Sequence, residues 1–412
     1  MKRGFFYALI LTLGLTCPFV LTSCDDDDDE TTSSSSSSSD DDDDDTTTEE
    51  DDTSETDAAD ILYTSELASS WGNYMQVVAN LLVSDAETLY ADWNDSYNGG
   101  DSYASIFKSH NTSAYFPTAK SCIQQLIEGC ADIANEVGVS KIGEPYDYYI
   151  AGETTQALYA VESWYSWHSR EDYRNNIYSI RNCYYGSRDG EISENSLSLV
   201  IAAVNSELDE TVKDAIDAAA EAIWAIPSPF RNNIASDESV AAMEACATLE
   251  DVLSNELWPY IRDYMDDDDV FDPVVTTYVD EVVLPTYEDL VAGNTALYEA
   301  VVAFAESPSD EGFEAVAEAW LTAREPWETS EAFLFGPVAD EGLDPNMDSW
   351  PLDQEGIVNL LESGNFDDVN WEGEYDEDNE EIAAAQNLRG YHTLEFLAFR
   401  DGEPRSVTEG EE

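Results

Sequence analysis

Near its end the chain carries Gly390-Tyr391-His392-Thr393-Leu394-Glu395, a G-x-H-x-x-E cluster inside the almost wholly apolar run Asn387–Phe399. On a helix, positions i and i+3 share a face, so His392 and Glu395 can point toward one ligand, with Leu388, Phe396 and Phe399 as near neighbours. A histidine and a carboxylate on a core-facing stripe must pair with each other or bind something, because an unpartnered buried charge is strongly destabilising. Imidazole nitrogen with carboxylate oxygen suits divalent or ferric ions, and carboxylate sites in helical bundles use a related Glu/His spacing in the opposite order. Two ligands do not complete a site, so others must come from elsewhere in the fold. The plain alternative is a structural ion pair that ties the helix to a neighbour through Arg324 or Arg400.

The elements that must position this pair read as helices throughout. Apolar residues recur at spacings of three and four over Ala59–Asp92, Tyr115–Val137, Ser169–Tyr185, Leu208–Ile226, Val240–Tyr264, Val274–Ala305, Glu311–Ala323 and Glu381–Arg400, and strand-like alternation is nowhere sustained. Asn98-Gly99-Gly100, Gly138, Gly186, Pro227-Ser228-Pro229, the Asp266–Asp269 run with Pro273, and Ser307-Pro308-Ser309 punctuate them. These stretches predict an all-α chain of two packed four-helix bundles. Cutting at Asp266–Asp269 would leave five helices against three, so the first helix is expected to join the C-terminal three. That gives a first bundle over 100–268 and a motif-bearing bundle over 58–99 plus 269–412. Gly336–Asn379 reads as a long insertion, and its Trp350, Leu352, Phe366 and Trp371 favour order.

The N-terminus speaks to location. Lys2 and Arg3 precede the apolar stretch Gly4–Leu21, giving a signal peptide over 1–23, and Leu21-Thr22-Ser23-Cys24 resembles a bacterial lipobox. Cleavage before Cys24 and lipidation of that thiol would anchor the protein to the bacterial cell envelope, at the periplasmic or outer face of the outer membrane. Residues 24–57 then form a tether of Asp, Glu, Ser and Thr that has no apolar surface to bury. An acidic run after the lipidated cysteine also resembles the signal by which Bacteroidetes-type bacteria display lipoproteins on the cell surface.

The net charge is −74, and residues 58–412 alone carry 72 acids against 14 bases. Such a chain repels itself unless salt screens it, which points to an exported protein in high salt and excludes nucleic acid as a partner. Cys122, Cys130, Cys183 and Cys246 are free thiols or disulfides, although Cys122 and Cys130 lie too far apart along one helix to bridge each other. No C-x-x-C, zinc spacing, phosphate cradle or nucleophile elbow occurs. The only histidines besides His392 are His110, in a Ser/Asn-rich loop, and His168, in the aromatic-polar stretch Trp164–Arg170. With no H-E-x-x-H, a metallopeptidase is the alternative rather than the leading reading.

A set of longer motifs carries a family resemblance. Tyr278-Val279-Asp280 with Pro285-Thr286-Tyr287 leads to Ala323-Arg324-Glu325-Pro326-Trp327-Glu328-Thr329-Ser330-Glu331-Ala332-Phe333-Leu334-Phe335-Gly336-Pro337, then Asp348-Ser349-Trp350-Pro351-Leu352-Asp353 and the G-x-H-x-x-E itself. Gly129–Gly138 and Asn176-Ile177 with Tyr185–Gly190 extend it toward the N-terminus. In these the chain resembles the imelysin family, bacterial exported proteins implicated in iron uptake and grouped with metallopeptidases. The resemblance implies that Gly390, His392 and Glu395 are the signature residues. It also implies that the protein binds iron, or an iron-bearing small ligand, in place of the less favoured zinc, and serves iron-transport proteins. His392 would give a nitrogen and Glu395 an oxygen ligand, with Glu331 and Asp348 as further candidates, each of which reads more readily as a cap or turn residue. Most members place the G-x-H-x-x-E half first, so this chain resembles a circular permutation opened after the motif helix.

Overall fold

The computed structural model describes residues 60–111, 115–371 and 373–411, all within one compact unit, Asp52–Glu412. The signal peptide, Cys24 and the acidic tether lie outside the described residues. The helices that frame the core are α1 (Ala68–Asn94), α2 (Ala119–Glu136), α3 (Ser169–Tyr185), α4 (Ser206–Ala225), α5 (Asp237–Asp251), α6 (Leu284–Glu306), α7 (Asp310–Glu328) and the short α8 (Tyr391–Ala398). Among the described residues the only strands form a two-residue hairpin, Phe399–Arg400 against Glu403–Pro404. The fold is all-α, and no described helix is long and apolar enough to cross a membrane.

Local chemistry sets the helix ends. Thr118 accepts from Ser121 N and Ser121 Oγ bonds Thr118 N, a reciprocal cap that opens α2. Asn205, Ser236 and Ser309 cap α4, α5 and α7 through their side chains. Three wide, π-type turns interrupt the ladders at Val137–Lys141, Val252–Leu257 and Tyr278–Val283, and a proline follows each within four residues: Pro145, Pro259 and Pro285. Proline cannot donate to the i−4 carbonyl and its ring clashes there, and a wide turn relieves both problems while the rod continues.

The helices close two rings. In one, α2 packs on α3, α3 on α4, α4 on α5 and α5 back on α2; in the other, α1 packs on α6, α6 on α7, α7 on α8 and α8 on α1. The contact of α3 with α7 joins them. Burial of Leu82, Leu89, Leu297, Val301, Phe304 and Phe313 makes the α1–α6–α7 seam almost purely carbon, and removal of such area from water is what drives helix to helix. At Gly293 the axes come so close that a Cβ would lie 3.0 Å from Ala323 Cα.

Two expectations change. The helix expected over Glu381–Arg400 is two helices, Glu380–Gln386 and α8, separated by Gly390 at φ +92°. A side chain at Gly390 would meet Met347 O at 2.5 Å, so the chain turns where only glycine fits and His392 falls in the first turn of α8. The helix expected to stop at Ala323 runs on through Pro326 to Glu328, which brings Arg324 and Glu328 onto one helical face. The insertion after Gly336 folds into short helices Pro337–Asp340, Leu343–Asp348 and Gln354–Ser363. All four described cysteines are free and buried.

Candidate functional site

His392 and Glu395 lie where the two rings meet, and neither is exposed at all. Glu395 faces the Nδ1 side of the imidazole, with Oε2 at 3.0 Å. Its other oxygen accepts from Ser166 N at 2.8 Å and Ser166 Oγ at 2.7 Å. A carboxylate so held fixes the orientation of the ring and its proton on Nδ1, the arrangement that commonly supports a ligating histidine. Nε2 is left facing Asp348 Oδ1 at 3.0 Å and Glu162 Oε1 at 3.4 Å. Trp350 covers the imidazole edge-on, with centroids 4.8 Å apart.

Arg324 is the pivot. From α7 it reaches Glu162 at 2.6 Å, Glu328 at 2.7 Å, Asp172 at 3.5 Å and also Asp348, and it lies 3.3 Å from His392 Nε2. Lys141, at the end of the first wide turn, contacts Glu162 at 2.9 Å, Glu331 at 3.8 Å and Glu136 at 3.9 Å. Trp327 Nε1 donates to Asp348 Oδ2 at 2.6 Å, and Asn176 Nδ2 to Glu328 Oε2 at 2.6 Å. Asp172 takes Ser163 Oγ at 2.6 Å and His168 Nδ1 at 2.8 Å.

Two sets of donor atoms lie within 4.8 Å of one another: Glu162, Asp348 and His392, and Glu328, Glu331 and Asp348. Of the sequence candidates, His392, Asp348 and Glu331 therefore meet in one buried cluster, with Asp348 common to both sets. Glu395 stands behind the imidazole, and Gly390 supplies the turn. Arg400 points away, toward Asp60 and Asp401, and His110 contacts Asp272 instead.

Carboxylates outnumber cations here, and the proton affinities show the strain. Burial alone would raise Asp348, Glu162 and Asp172, but Arg324 and His392 pull Asp348 far down, Lys141 and His392 hold Glu162 low, and His168 brings Asp172 to about 2. Burial wins at Glu328, pushed up to about 8, at Asp344, pushed up to about 7, and at Glu331, which it holds well above the usual carboxylate range. Burial and Arg324 oppose charge on His392, yet Asp348 and Glu162 hold its affinity well above the usual imidazole range. The cluster thus holds protons at neutral pH that an added cation could replace.

Sequence reasoning missed Glu162, Asp172 and Lys141 and gave His168 no role. A signal was present in Glu162–Asp172, where Ser163, Ser166, His168, Ser169 and Asp172 are interleaved with Trp164, Tyr165 and Trp167. Polar residues this dense among aromatics mark buried polar bonding.

The sequence model of the imelysin family, Peptidase M75, matches residues 34–255 and 283–411. The chain belongs to the imelysin family. A crystal structure of an imelysin peptidase from Bacteroides ovatus at 1.44 Å resolution is 58% identical and covers 85% of this chain and 99% of that chain, with a TM-score of 0.83. Iron-regulated protein A of Synechococcus elongatus (strain ATCC 33912 / PCC 7942 / FACHB-805) is 34% identical over 134 residues. That match takes in 31% of this imelysin chain and 31% of the relative, so the chain spans less than a third of that relative's length.

Proposed function

We propose that this imelysin is an exported lipoprotein that binds iron, or an iron-bearing ligand, at the buried cluster around His392. The observation that carries this reading is an imidazole held by Glu395, itself held by Ser166, with Nε2 turned to two carboxylates in a cluster with more acids than cations. A nitrogen with hard oxygens is a donor set suited to ferrous and ferric ions. Glu162, Asp348 and His392 would take the ion, Glu331 and Glu328 extend the acidic wall, and Glu395 orients the histidine. A relative named iron-regulated protein A agrees with iron as the cargo. Lipid at Cys24 would fix the protein to the outer membrane, where iron-transport proteins would be its partners.

The peptidase name of the Bacteroides ovatus relative supports metal-assisted hydrolysis less well in this chain. Zinc hydrolases of the common helical type use two histidines on one ion, whereas the two donor sets among the described residues contain a single histidine, His392.

Metal content by elemental mass spectrometry tests the proposal. Wild type and a His392→Ala/Asp348→Asn double variant would be reloaded with iron and with zinc, then desalted in high salt. Near-stoichiometric iron retained by wild type alone is the expected result. Equal content in both overturns it, because uptake by surface carboxylates is common to the two proteins.

A further inference from the structure

Away from the His392 cluster, an open groove of about 630 Å³ lies between α1, α6 and the segment 366–371. Its size falls within the range of roughly 300–1,000 Å³ common for small-molecule sites. Three rings, Tyr298, Phe366 and Trp371, share the walls with three amides, Gln76, Asn80 and Asn370. Asp367 is the one charged residue in the lining, although acids outnumber bases 90 to 16 in the whole chain.

The polar groups keep hydrogen-bonding capacity to spare. Neither Asn80 nor the Tyr298 hydroxyl has a hydrogen bond among the described residues. Gln76 donates to Gly72 O at 3.2 Å, which leaves its carbonyl oxygen to accept. Asn370 accepts from Arg389 at 3.2 Å, which leaves its amide nitrogen to donate. The rings are braced from behind: Phe366 stacks on buried Tyr74, with centroids 5.0 Å apart and planes 15° apart, and Trp371 Nε1 bonds Asn346 Oδ1 at 3.3 Å. Braced aromatic faces lose little freedom when a ligand covers them.

We infer that this groove binds a neutral saccharide. Pyranose rings present patches of C–H that pack on aromatic faces and vicinal hydroxyls that both donate and accept, which is what amides, a tyrosine hydroxyl and one carboxylate satisfy. An anionic ligand would find no cation in the lining and would be repelled by the acidic surface, and a cationic one would meet a single carboxylate. A purely apolar ligand would leave three amides without partners on binding, at a cost in affinity.

The test is isothermal titration calorimetry of the full chain with soluble maltohexaose, cellohexaose, xylohexaose, mannohexaose and laminarihexaose, repeated on Trp371→Ala, Asn80→Ala and Tyr298→Phe. At least one oligosaccharide is expected to bind, about tenfold or more weaker in Trp371→Ala and measurably weaker in Asn80→Ala. Asn80 is exposed and its substitution leaves the fold intact, so it decides the matter if Trp371→Ala does not fold. Binding by none of the five at millimolar concentration overturns the inference. Binding undiminished in Asn80→Ala and in every folded Trp371 variant overturns it as well.

Discussion

The α1–α6–α7 seam and the cluster around Arg324 are equally removed from water, yet they are built from opposite materials. The seam is filled by Leu82, Leu89, Leu297, Val301, Phe304 and Phe313, with Asn294 as a polar exception whose amide donates to Leu82 O at 3.1 Å. The cluster packs Arg324, Lys141, His392, Glu162, Asp172, Glu328 and Glu331 into a comparable depth. Carbon packing stabilises in proportion to the area it buries. Buried ion pairs generally do no better than break even against hydrophobic packing, so their presence is weak evidence for stability. The seam carries the apolar burial and the cluster carries the buried charge.

The sharpest way to break this contrast is to remove the pivot. Arg324→Met fills similar volume but leaves Glu162, Asp172, Glu328 and Asp348 facing one another without their shared cation. The expected loss is about 3–5 kcal/mol in urea denaturation at neutral pH. Part of it should return on mild acidification as the carboxylates take protons. A loss that does not change with pH would show that Arg324 acts only as packing.

Ser166→Ala comes next. Both Ser166 bonds to Glu395 are charge-assisted, and the substitution removes only the hydroxyl one, for an expected loss of about 1.5–3 kcal/mol. Because Glu395 orients His392, iron affinity at the proposed site should also fall by about 10–100-fold, the usual cost of removing support from a ligating histidine. A stability loss with unchanged iron binding would mark the His392–Glu395 pair as structural.

The pH dependence separates the two regions without a large perturbation. Asp348, Glu162 and Asp172 have depressed affinities in the folded state, so their contribution is present above about pH 4 and is lost as pH falls below it. Glu328 and Asp344 are raised to about 8 and about 7, and their contribution is complete below about pH 4 and lost as pH rises through those values. His392, also raised, adds to the alkaline loss. Thermal unfolding in high salt should therefore show greatest stability in mildly acid solution. Glu328→Gln should flatten the alkaline limb, because the amide has no proton to lose as pH rises. An unchanged limb would place the buried proton elsewhere.

The two regions also differed in how far they could be read from sequence. The seam was legible because burial imposes a period: Leu82, Ala86, Leu89 and Trp93 recur at three and four along α1, and such stretches give helices and an all-α fold. His392 and Asp348 were legible through their motifs. Glu162 and Lys141 were not, because each enters the cluster through contacts distant in sequence, Glu162 with Arg324 and Lys141 with Glu331. The sequence reads Glu395 as an oxygen ligand, and the structure places it against His392 Nδ1 and Ser166. The i, i+3 geometry put it beside His392 but could not tell whether it shares a ligand or bonds the ring itself. That depended on Ser166, which is 229 residues away. The break at Gly390 was hidden because the apolar period runs across it.

Leu297→Met gives the smallest expected effect and the cleanest contrast. Leu297 has no exposed surface and lies on α6, which packs on both α1 and α7. The exchange keeps volume and apolarity, so the loss should stay below about 1.5 kcal/mol. It adds no charge and no titratable group, so the loss should be the same at pH 5 and pH 8.5 and in low and high salt. Iron content should also match wild type, because the substituted side chain contributes nothing to the cluster. A change in the pH profile or in retained iron would mean that carbon packing in the seam sets the positions of Arg324 and His392, which ride on α7 and α8 of the same ring. The two regions would then be one cooperative unit, and substitutions elsewhere along α6 should move iron affinity in step with stability.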